Sequence, residues 1–281
     1  MTSREEKNRK YVDEINKEKT INITKKILKV LLIVLIIFTM FFLYARFYEP
    51  KRIKTHEYLI KDTSIPNEFN GKKILHISDI LYGSTITKND ILKLKQEINL
   101  INPDIVIFTG NIIAKDKEIS EEEIKFLNDF FSSIPYTIGK YAVSGNMDSQ
   151  SFNVIMDNTD FEILNNQVLH VYNGINKINI IGINYNNNDE IKNESNDWTI
   201  TIINDYDLYS KYHLSSNLVF AGHNLGGEIR IFNIPLLGTS KHLNSYYEDG
   251  ETKVYISNGL GSIHNLRLMN KPSINVYRLS N

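Results

Sequence analysis

The chain of 281 residues contains no cysteine, which excludes disulfide bonds, thiolate zinc sites, cysteine nucleophiles and lipid attachment through a thiol. Proline and glycine are few (6 and 14 residues) and 42% of the chain is hydrophobic, so neither a disordered nor a collagen-like protein is indicated. The 32 Lys and Arg balance 33 Asp and Glu, and no global basic field points to nucleic acid. These absences leave a folded protein with a sizeable core.

One long segment lacks charge altogether. Residues 30–45, VLLIVLIIFTMFFLYA, would form about 24 Å of helix. Extended to residues 27–48, with Lys29 and Arg46 snorkelling, the segment is long enough for a membrane anchor. A buried core helix would show a polar stripe, which is missing, and a cleaved signal peptide would need a small-x-small site, for which only Ala45 is available. The sequence therefore favours a retained anchor.

The charges around this segment predict its orientation. Residues 1–29 contain nine Lys and Arg against five Asp and Glu, so the tail is basic and the rest of the chain is mildly acidic. The cations nearest to the segment are five on the N-terminal side (Lys17, Lys19, Lys25, Lys26 and Lys29) and four on the C-terminal side (Arg46, Lys51, Arg52 and Lys54). The positive-inside rule thus favours, by a small margin, a cytoplasmic tail (residues 1–26), a single-pass anchor in the cell membrane (27–48) and an extracytoplasmic domain (49–281).

Beyond the anchor, strand and helix signals alternate. Residues 73–78 and 105–109 are apolar and rich in β-branched side chains, which is typical of buried strands. Capping boxes, which predict helix starts, occur at Thr87 with Asp90 and at Ser120 with Glu123. Residues 141–144 predict a third strand. This βαβαβ pattern predicts an α/β domain with a parallel sheet.

The second half of the chain is richer in strand signals. Asn173-Gly174 predicts the turn of a β-hairpin, and the Asn-rich segment 184–197 predicts a surface loop. Further strands are predicted at Trp198–Ile203, Leu218–Ala221, Glu228–Phe232, Lys253–Ser257 and Ile274–Arg278. No repeat or linker divides residues 49–281, so a single domain is predicted.

Five predicted strands end in small or polar residues. These ends are Ser78-Asp79, Thr109-Gly110-Asn111, Ser144-Gly145-Asn146, Ile203-Asn204 and Ala221-Gly222-His223. In open α/β sheets the ligand crevice lies outside the carboxyl ends of the strands. The sequence therefore predicts a functional site where these five ends meet.

The segments around these ends resemble a known family. They are HISDILYG (76–83), FTGN (108–111), VSGNMD (143–148), AGHNLGGEIR (221–230) and SNGLG (257–261). Together they are similar to the calcineurin-like metallophosphoesterases, in particular to the bacterial membrane-anchored subgroup. The resemblance implies a two-sheet αββα sandwich, with helices outside and two divalent ions of the Mn, Fe or Zn type at the strand ends. Such ions activate a water and clamp phosphate oxygens.

The site motifs of that family are DxH, GD, GNH, a single His and GHxH, and this chain keeps only part of them. Asp79, Asn146 and His223 match ligand positions. Five positions depart: Leu81 stands for the His of DxH, Asn111 for the bridging Asp, Met147 for the His that assists the leaving group, Asn204 for the single His, and Leu225 for the last His.

These departures all weaken the implied metal centre. Leu81 and Leu225 have no lone pair, so the first metal would keep only Asp79 and the Asn111 amide. The second would keep a neutral set, Asn111, Asn146, Asn204 and His223, which is expected to bind weakly. Met147 has no proton to give to a leaving group. The resemblance therefore implies a degenerate hydrolase centre with weakly bound or absent metal.

Two functions remain open at this point. One is a non-catalytic binding or regulatory protein; the other is a phosphohydrolase with a reduced or single-metal site that acts on phosphate esters of the envelope or membrane. The expected partners are the membrane, through residues 27–48, and a phosphorylated small molecule or an envelope protein. Nucleic acid is not expected. His76 is expected in the core, and Asp148 is expected to hydrogen-bond beside the site.

Overall fold

A computed structural model describes residues 3–115, 117–185, 191, 196–212, 214–232, 234–236 and 241–281. The chain divides into two compact units, Met1–Ala45 and Arg46–Asn281. The first contains helix α1, Ser3–Leu43, and a π-helical turn at Tyr44–Tyr48 follows it. This helix is long and apolar enough to cross a membrane, and none of its most apolar stretch is buried.

The body, Arg46–Asn281, is built from three further helices and fourteen strands among the described residues. The helices are α2 (Lys88–Ile101), α3 (Glu121–Ser132) and α4 (Gln150–Met156), with short 3-10 helices at Glu49–Lys51, Asn67–Phe69 and Tyr206–Lys211. The strands are β1 (Lys54–Lys61), β2 (Lys73–Ile77), β3 (Ile105–Phe108), β4 (Gly139–Ala142), β5 (Phe161–Ile163), β6 (Gln167–Asn173), β7 (Asn176–Ile183), β8 (Thr199–Ile203), β9 (Leu218–Ala221), β10 (Arg230–Ile231), β11 (Ile234–Pro235), β12 (Tyr246–Asp249), β13 (Thr252–Ile256) and β14 (Ser273–Ser280).

Two six-stranded sheets form the framework. The first has the order β1-β14-β2-β3-β4-β5, in which only β14 and β2 are antiparallel neighbours. The second has the order β12-β13-β9-β8-β7-β6, with an antiparallel pair at each edge. The parallel β2-β3-β4 arrangement confirms the predicted α/β class.

Successive side chains of a strand point to opposite faces of its sheet, so they pack in two different apolar layers. Ile74 of β2 and Ile107 of β3 pack in one apolar cluster with Ile200 and Phe220 of the second sheet, so the two sheets pack face to face. On the other side of the first sheet, residues such as Leu75 cluster with the apolar faces of α2, α3 and α4. The predicted two-sheet sandwich is confirmed. The outer face of the second sheet packs against the 3-10 helix Tyr206–Lys211.

Both predicted helix starts are confirmed by their capping geometry. Thr87 and Asp90 form a reciprocal capping box at the start of α2, and Ser120 and Glu123 form the same arrangement at α3. Each box pairs backbone N–H groups that the first helical turn leaves without an intrahelical partner. These local signals were sufficient because capping depends on residues only three positions apart.

Other predictions need correction. The predicted hairpin is present, but Asn173 pairs with Asn176, so its two-residue turn is Gly174-Ile175, in which Gly174 takes the positive φ of 61° that such a turn requires. The strand predicted at 228–232 is reduced to β10. Strands β1, β5 and β12 and helix α4 had not been predicted, since they are short or lie at sheet edges. The loop predicted at 184–197 lies largely outside the described residues.

His76 is a core residue, as expected. It is fully buried between the rings of Phe220 and Tyr277, and its Nε2 lies 2.9 Å from Thr109 Oγ1. Burial lowers the pKa of His76 to about 3. The folded protein therefore holds this ring neutral at pH values where an unfolded chain would protonate it.

This buried ring predicts a loss of stability in acid. The unfolded chain binds a proton at His76 near pH 6.5, whereas the folded chain does not until about pH 3. Stability therefore falls as the pH drops below 6.5, by about 2 kcal/mol between pH 7 and pH 5 for this group. Between pH 7 and pH 5 the free energy of unfolding of His76→Phe should therefore fall by about 2 kcal/mol less than that of the wild type. Urea unfolding in detergent at the two pH values measures both changes. Equal acid losses in wild type and His76→Phe would contradict the assignment.

Candidate functional site

The predicted strand ends meet at one edge of the sandwich. Asp79 follows β2, Asn111 follows β3 and His223 follows β9, and their hydrogen bonds link the two sheets. The Asn204 side chain, after β8, donates to the Thr109 carbonyl oxygen at 2.6 Å. The structure thus brings together most of the side chains that the sequence assigns to the site.

Asp79 is the only carboxylate among the assigned ligands, and both its oxygens already accept hydrogen bonds. Oδ1 accepts from Asn111 Nδ2 at 2.7 Å, and Oδ2 accepts from the His223 backbone N–H at 2.8 Å and from the Ser78 hydroxyl. Burial raises the pKa of Asp79, while these donors oppose that shift. The protein itself therefore supplies the partners of this carboxylate.

The amide side chains at the site are largely engaged as well. Asn111 Oδ1 accepts from the Met147 N–H at 2.9 Å, and Asn204 Oδ1 accepts from the Asn146 N–H at 3.2 Å. A Cβ on Gly145 would collide with Asn111 Oδ1, so glycine is required for this close approach. Asn111 and Asn204 thus act as hydrogen-bonding side chains that connect neighbouring loops.

Leu81 and Leu225 are packed into the protein. Each is 1% exposed, and a Cβ on Gly259 would meet the Leu225 side chain and Asp79 Cβ. A Cβ on Gly261 would likewise meet Leu81 Cβ. Two apolar side chains therefore lie where the resemblance places imidazole ligands.

The backbone at the site has an unusual conformation. Asp79, Leu81, Asn111, His223 and Leu225 all have positive φ, between 45° and 64°. They are five of the twelve non-glycine residues with positive φ in the described part of the chain. This conformation is unfavourable for side chains with a Cβ, and such residues cluster at functional sites. The backbone at the strand ends thus has the conformation that is typical of a functional site.

Asp148 stabilises the loops around Met147, as the sequence predicted. Its carboxylate accepts the backbone N–H groups of Asn111, Ile112 and Gly145 at 2.7–2.8 Å. Burial raises the pKa of Asp148 to about 6 in spite of these three donors. The carboxylate faces backbone donors, which makes it a support for the site.

The donor set fits the implied metals poorly. At the first position the two leucines offer no ligand atom, and the Asp79 oxygens are occupied. At the second position Asn146 Oδ1 and His223 Nδ1 are buried and have no hydrogen-bond partner among the described residues. The described residues also contain no group of three or more His, Asp or Glu side chains arranged to hold a metal ion. The first position does not match a divalent ion, and the second offers two neutral acceptors.

Two grooves flank Met147 at the mouth of the site. One has a volume of about 440 Å³ and includes Asn146, Ser149 and Ser151 in its lining; the other, of about 300 Å³, includes Leu81, Ser84 and Ser262. Met147, Lys115 and Lys117 line both. Lys117 also pairs with Glu123 at 3.3 Å. The mouth therefore offers serine hydroxyls, the Lys115 ammonium group and the Lys117–Glu123 ion pair.

Several residues that shape the site could not be found from the sequence. The fully buried Arg267 donates to the carbonyl oxygens of Asn258, Gly259, Gly261 and Asn270. The Asn270 amide donates in turn to the carbonyl oxygens of Leu225 and Gly227, at 2.6 and 2.9 Å. The Arg267 contacts lie within one loop but follow no recognisable motif, and the Asn270 contacts join positions more than forty residues apart, so no sequence signal identifies either set.

The comparison with known proteins agrees with this architecture. A family model described as calcineurin-like phosphoesterase matches residues 72–257, and the chain belongs to that family. The chain is 28% identical over 261 residues to the uncharacterized metallophosphoesterase YkuE of Bacillus subtilis, which covers 84% of this chain and 88% of that protein. It is 28% identical over 260 residues to an uncharacterized metallophosphoesterase of Campylobacter jejuni, and that alignment covers 87% of this chain and 67% of the relative. It is also 26% identical over 113 residues to the UDP-2,3-diacylglucosamine pyrophosphatase LpxG of Chlamydia muridarum, and that alignment covers 39% of this chain and 32% of the relative.

Proposed function

We propose that this chain is a membrane-anchored metallophosphoesterase-family protein whose cleft binds a ligand or a partner without two-metal hydrolysis. The observation that carries the proposal is the 2.7 Å hydrogen bond from Asn111 Nδ2 to Asp79 Oδ1. A carboxylate at position 111 would repel Asp79 unless cations lay between them. The Asn111 amide donates a hydrogen bond to Asp79 instead, so the pair is stable without a metal ion.

The other departures from the family pattern support the same proposal. Leu81 and Leu225 replace two imidazoles by buried apolar side chains. Met147 lies between the two grooves at the mouth and offers no proton for a leaving group. Metal binding and acid catalysis are thus weakened together, which is expected when neither is needed.

The mouth of the cleft suggests what it binds. Lys115 supplies positive charge beside serine hydroxyls, and this combination favours an anionic group such as a phosphate ester. A phosphorylated small molecule is therefore the proposed ligand, and an envelope protein is the alternative. The lysines before residues 27–48 support a cytoplasmic tail and an extracytoplasmic body.

A second function has one observation in its favour. Asn146 Oδ1 and His223 Nδ1 are buried acceptors with no partner among the described residues, and a single divalent ion would satisfy both. With such an ion the chain would be a phosphohydrolase with a reduced site. LpxG, a partial relative, is named as a pyrophosphatase, which keeps this alternative relevant.

Metal content and turnover distinguish the two functions. The purified full chain in detergent is dialysed against Mn²⁺, its metal is quantified by mass spectrometry, and hydrolysis of an aryl phosphate is measured. We expect well under one equivalent of metal and a rate that does not exceed that of His223→Ala. The same rate in both proteins identifies any residual activity as a contaminant.

A different result would replace the proposal by the alternative. About one equivalent of metal that survives dialysis, with turnover that His223→Ala abolishes, would establish the single-metal phosphohydrolase. The exposed His170→Ala serves as the matched control, because it removes an imidazole far along β6 and should change neither measurement.

A further inference from the structure

An exposed apolar hairpin lies beside the cleft. Strands β10 and β11 pair Arg230 with Pro235 and Ile231 with Ile234. Its exposed apolar side chains are those of Ile231, Phe232, Ile234 and Leu236, and Phe232 is 84% exposed. We call the described residues of 230–236 the apolar hairpin. Scattered apolar residues are common on surfaces, but four within seven positions form a patch that water solvates poorly.

The base of the apolar hairpin is fixed to the body. The Arg230 N–H donates to the Leu268 carbonyl oxygen at 2.8 Å, and the Leu236 N–H donates to the Ile229 carbonyl oxygen at 2.8 Å. The Arg230 guanidinium donates to the Gly226 carbonyl oxygen at 2.6 Å. The charged group is thereby bound at the base, and the rest of the hairpin presents apolar side chains.

The hairpin base lies close to the point where the chain leaves the predicted anchor. Glu49 is the first residue after the anchor, residues 27–48, and its buried Oε1 accepts the Asn270 N–H at 2.8 Å. Leu268, which binds the hairpin base, and Asn270, which binds Glu49, are two residues apart, so their Cα atoms are separated by at most about 7 Å. Because the end of a membrane span lies at the interface, an anchor at residues 27–48 would hold this part of the body near the lipid surface.

We propose that the apolar hairpin inserts into the membrane leaflet from which the body emerges. This inference rests on the proposed membrane anchor and is independent of the state of the metal centre. An apolar segment at the interface gains by burying its side chains among the acyl chains. Together with the anchor, the hairpin forms a second membrane contact that fixes the orientation of the body and holds the Leu225 side of the cleft at the lipid surface.

The opposite end of the body supplies a matched control. Strand β1 starts at Lys54, next to Glu49, and extends over eight residues, roughly 26 Å, in parallel with β14. Beyond its far end, Asn67 accepts from the Asn281 side chain, and the neighbouring Glu68 carbonyl oxygen accepts from Asn173. That contact places the β6–β7 turn, with Ile175 90% exposed, away from the membrane face.

Quenching by brominated lipid tests the insertion. The full chain is reconstituted, one copy per disc, into nanodiscs of phosphatidylcholine and phosphatidylglycerol with or without bromine on the acyl chains. Phe232→Trp and Ile175→Trp are compared; the single native Trp198 is buried and donates to Asp62 at the far end. We expect bromine to remove about half or more of the fluorescence added at position 232 and about a tenth or less at position 175.

The outcomes separate the anchor from the hairpin. A chain that does not co-elute with the discs would refute the anchor itself. A chain that co-elutes, but in which the signal added by Phe232→Trp is quenched no more than that added by Ile175→Trp, would refute the insertion. A blue-shifted emission at position 232 that bromine does not quench would indicate a protein partner or a second copy, which also overturns the proposal. Adding Ile231→Asp and Ile234→Asp to Phe232→Trp should abolish the quenching and leave the Trp198 unfolding midpoint unchanged.

Discussion

Restoring the family residues at five positions is expected to convert a chain that binds little metal into one that binds about two equivalents and hydrolyses an aryl phosphate. The changes are Leu81→His, Asn111→Asp, Asn204→His, Leu225→His and Met147→His. They return imidazole and carboxylate ligands to a backbone frame that still holds Asp79 and His223 in the left-handed conformation. Metal content by mass spectrometry and turnover with Mn²⁺ are the measurements.

Partial variants sharpen this expectation. Met147→His alone should have no effect, because an acid without metal has no activated water to assist. Asn111→Asp alone should lower the melting temperature, since the hydrogen bond to Asp79 becomes a contact between two buried carboxylates. In the five-fold variant, Mn²⁺ should raise the melting temperature again, which gives a readout that does not depend on turnover.

Two features temper the size of the effect and one result would contradict it. Leu81 and Leu225 are closely packed, and imidazole in their place can cost about 1–3 kcal/mol of stability where it overpacks. The single changes should be strongly non-additive, since ligands and acid act as a unit. A wild type that already turns over with added Mn²⁺, at a rate the five-fold variant does not exceed, would contradict the proposed function.

Removing the buried guanidinium is expected to produce the largest loss of stability. Arg267 is fully buried and binds four carbonyl oxygens in the loops beside the cleft, and burial lowers its pKa only to about 10, so it is charged at neutral pH. Arg267→Met leaves these oxygens without a charged donor and should lower the free energy of unfolding by about 3–5 kcal/mol. Urea unfolding followed by Trp198 fluorescence measures the change.

The control for this variant is another arginine, eleven residues further along the chain. Arg278 is the exposed residue of β14, and Arg278→Met should change the free energy of unfolding by about 0.5 kcal/mol or less. Similar losses for the two variants would show that the carbonyl contacts of Arg267 contribute little. Both variants lose one positive charge, so the difference between their free energies of unfolding does not contain the general effect of that loss.

Local chemistry made much of the fold predictable. The capping boxes of α2 and α3, the apolar runs of β2 and β3 and the polar ends of the strands all depend on neighbouring residues, and these predictions hold. Strand β1, KTHEYLIK, was missed because it is an edge strand with alternating exposure and two charged ends. Its only partner in the described chain is β14, more than two hundred residues away, so the sequence around it carries no signal.

The same distinction applies to the site. That Asp79, Asn111 and Asn204 would lie together followed from the strand ends, because parallel strands place their carboxyl ends at one edge. That Asn111 would donate to Asp79 could not be predicted, since it depends on the relative height of two loops. The contacts of Asn270 with Glu49 and with Leu225 join distant parts of the chain, so they could not be predicted from neighbouring residues.

The position of β14 has a consequence for the order of events during synthesis. The last strand of the chain is inserted between the first strand and β2, so the first sheet has a missing interior strand until residues 273–280 are available. Until then, β1 has no partner among the described strands. A polypeptide interrupted anywhere before residue 273 would keep both β1 and β2 open to other strands. Synthesis of residues 273–280 is thus the step that closes the sheet beneath the cleft, and a molecule without them would lack the strand that joins β1 to β2.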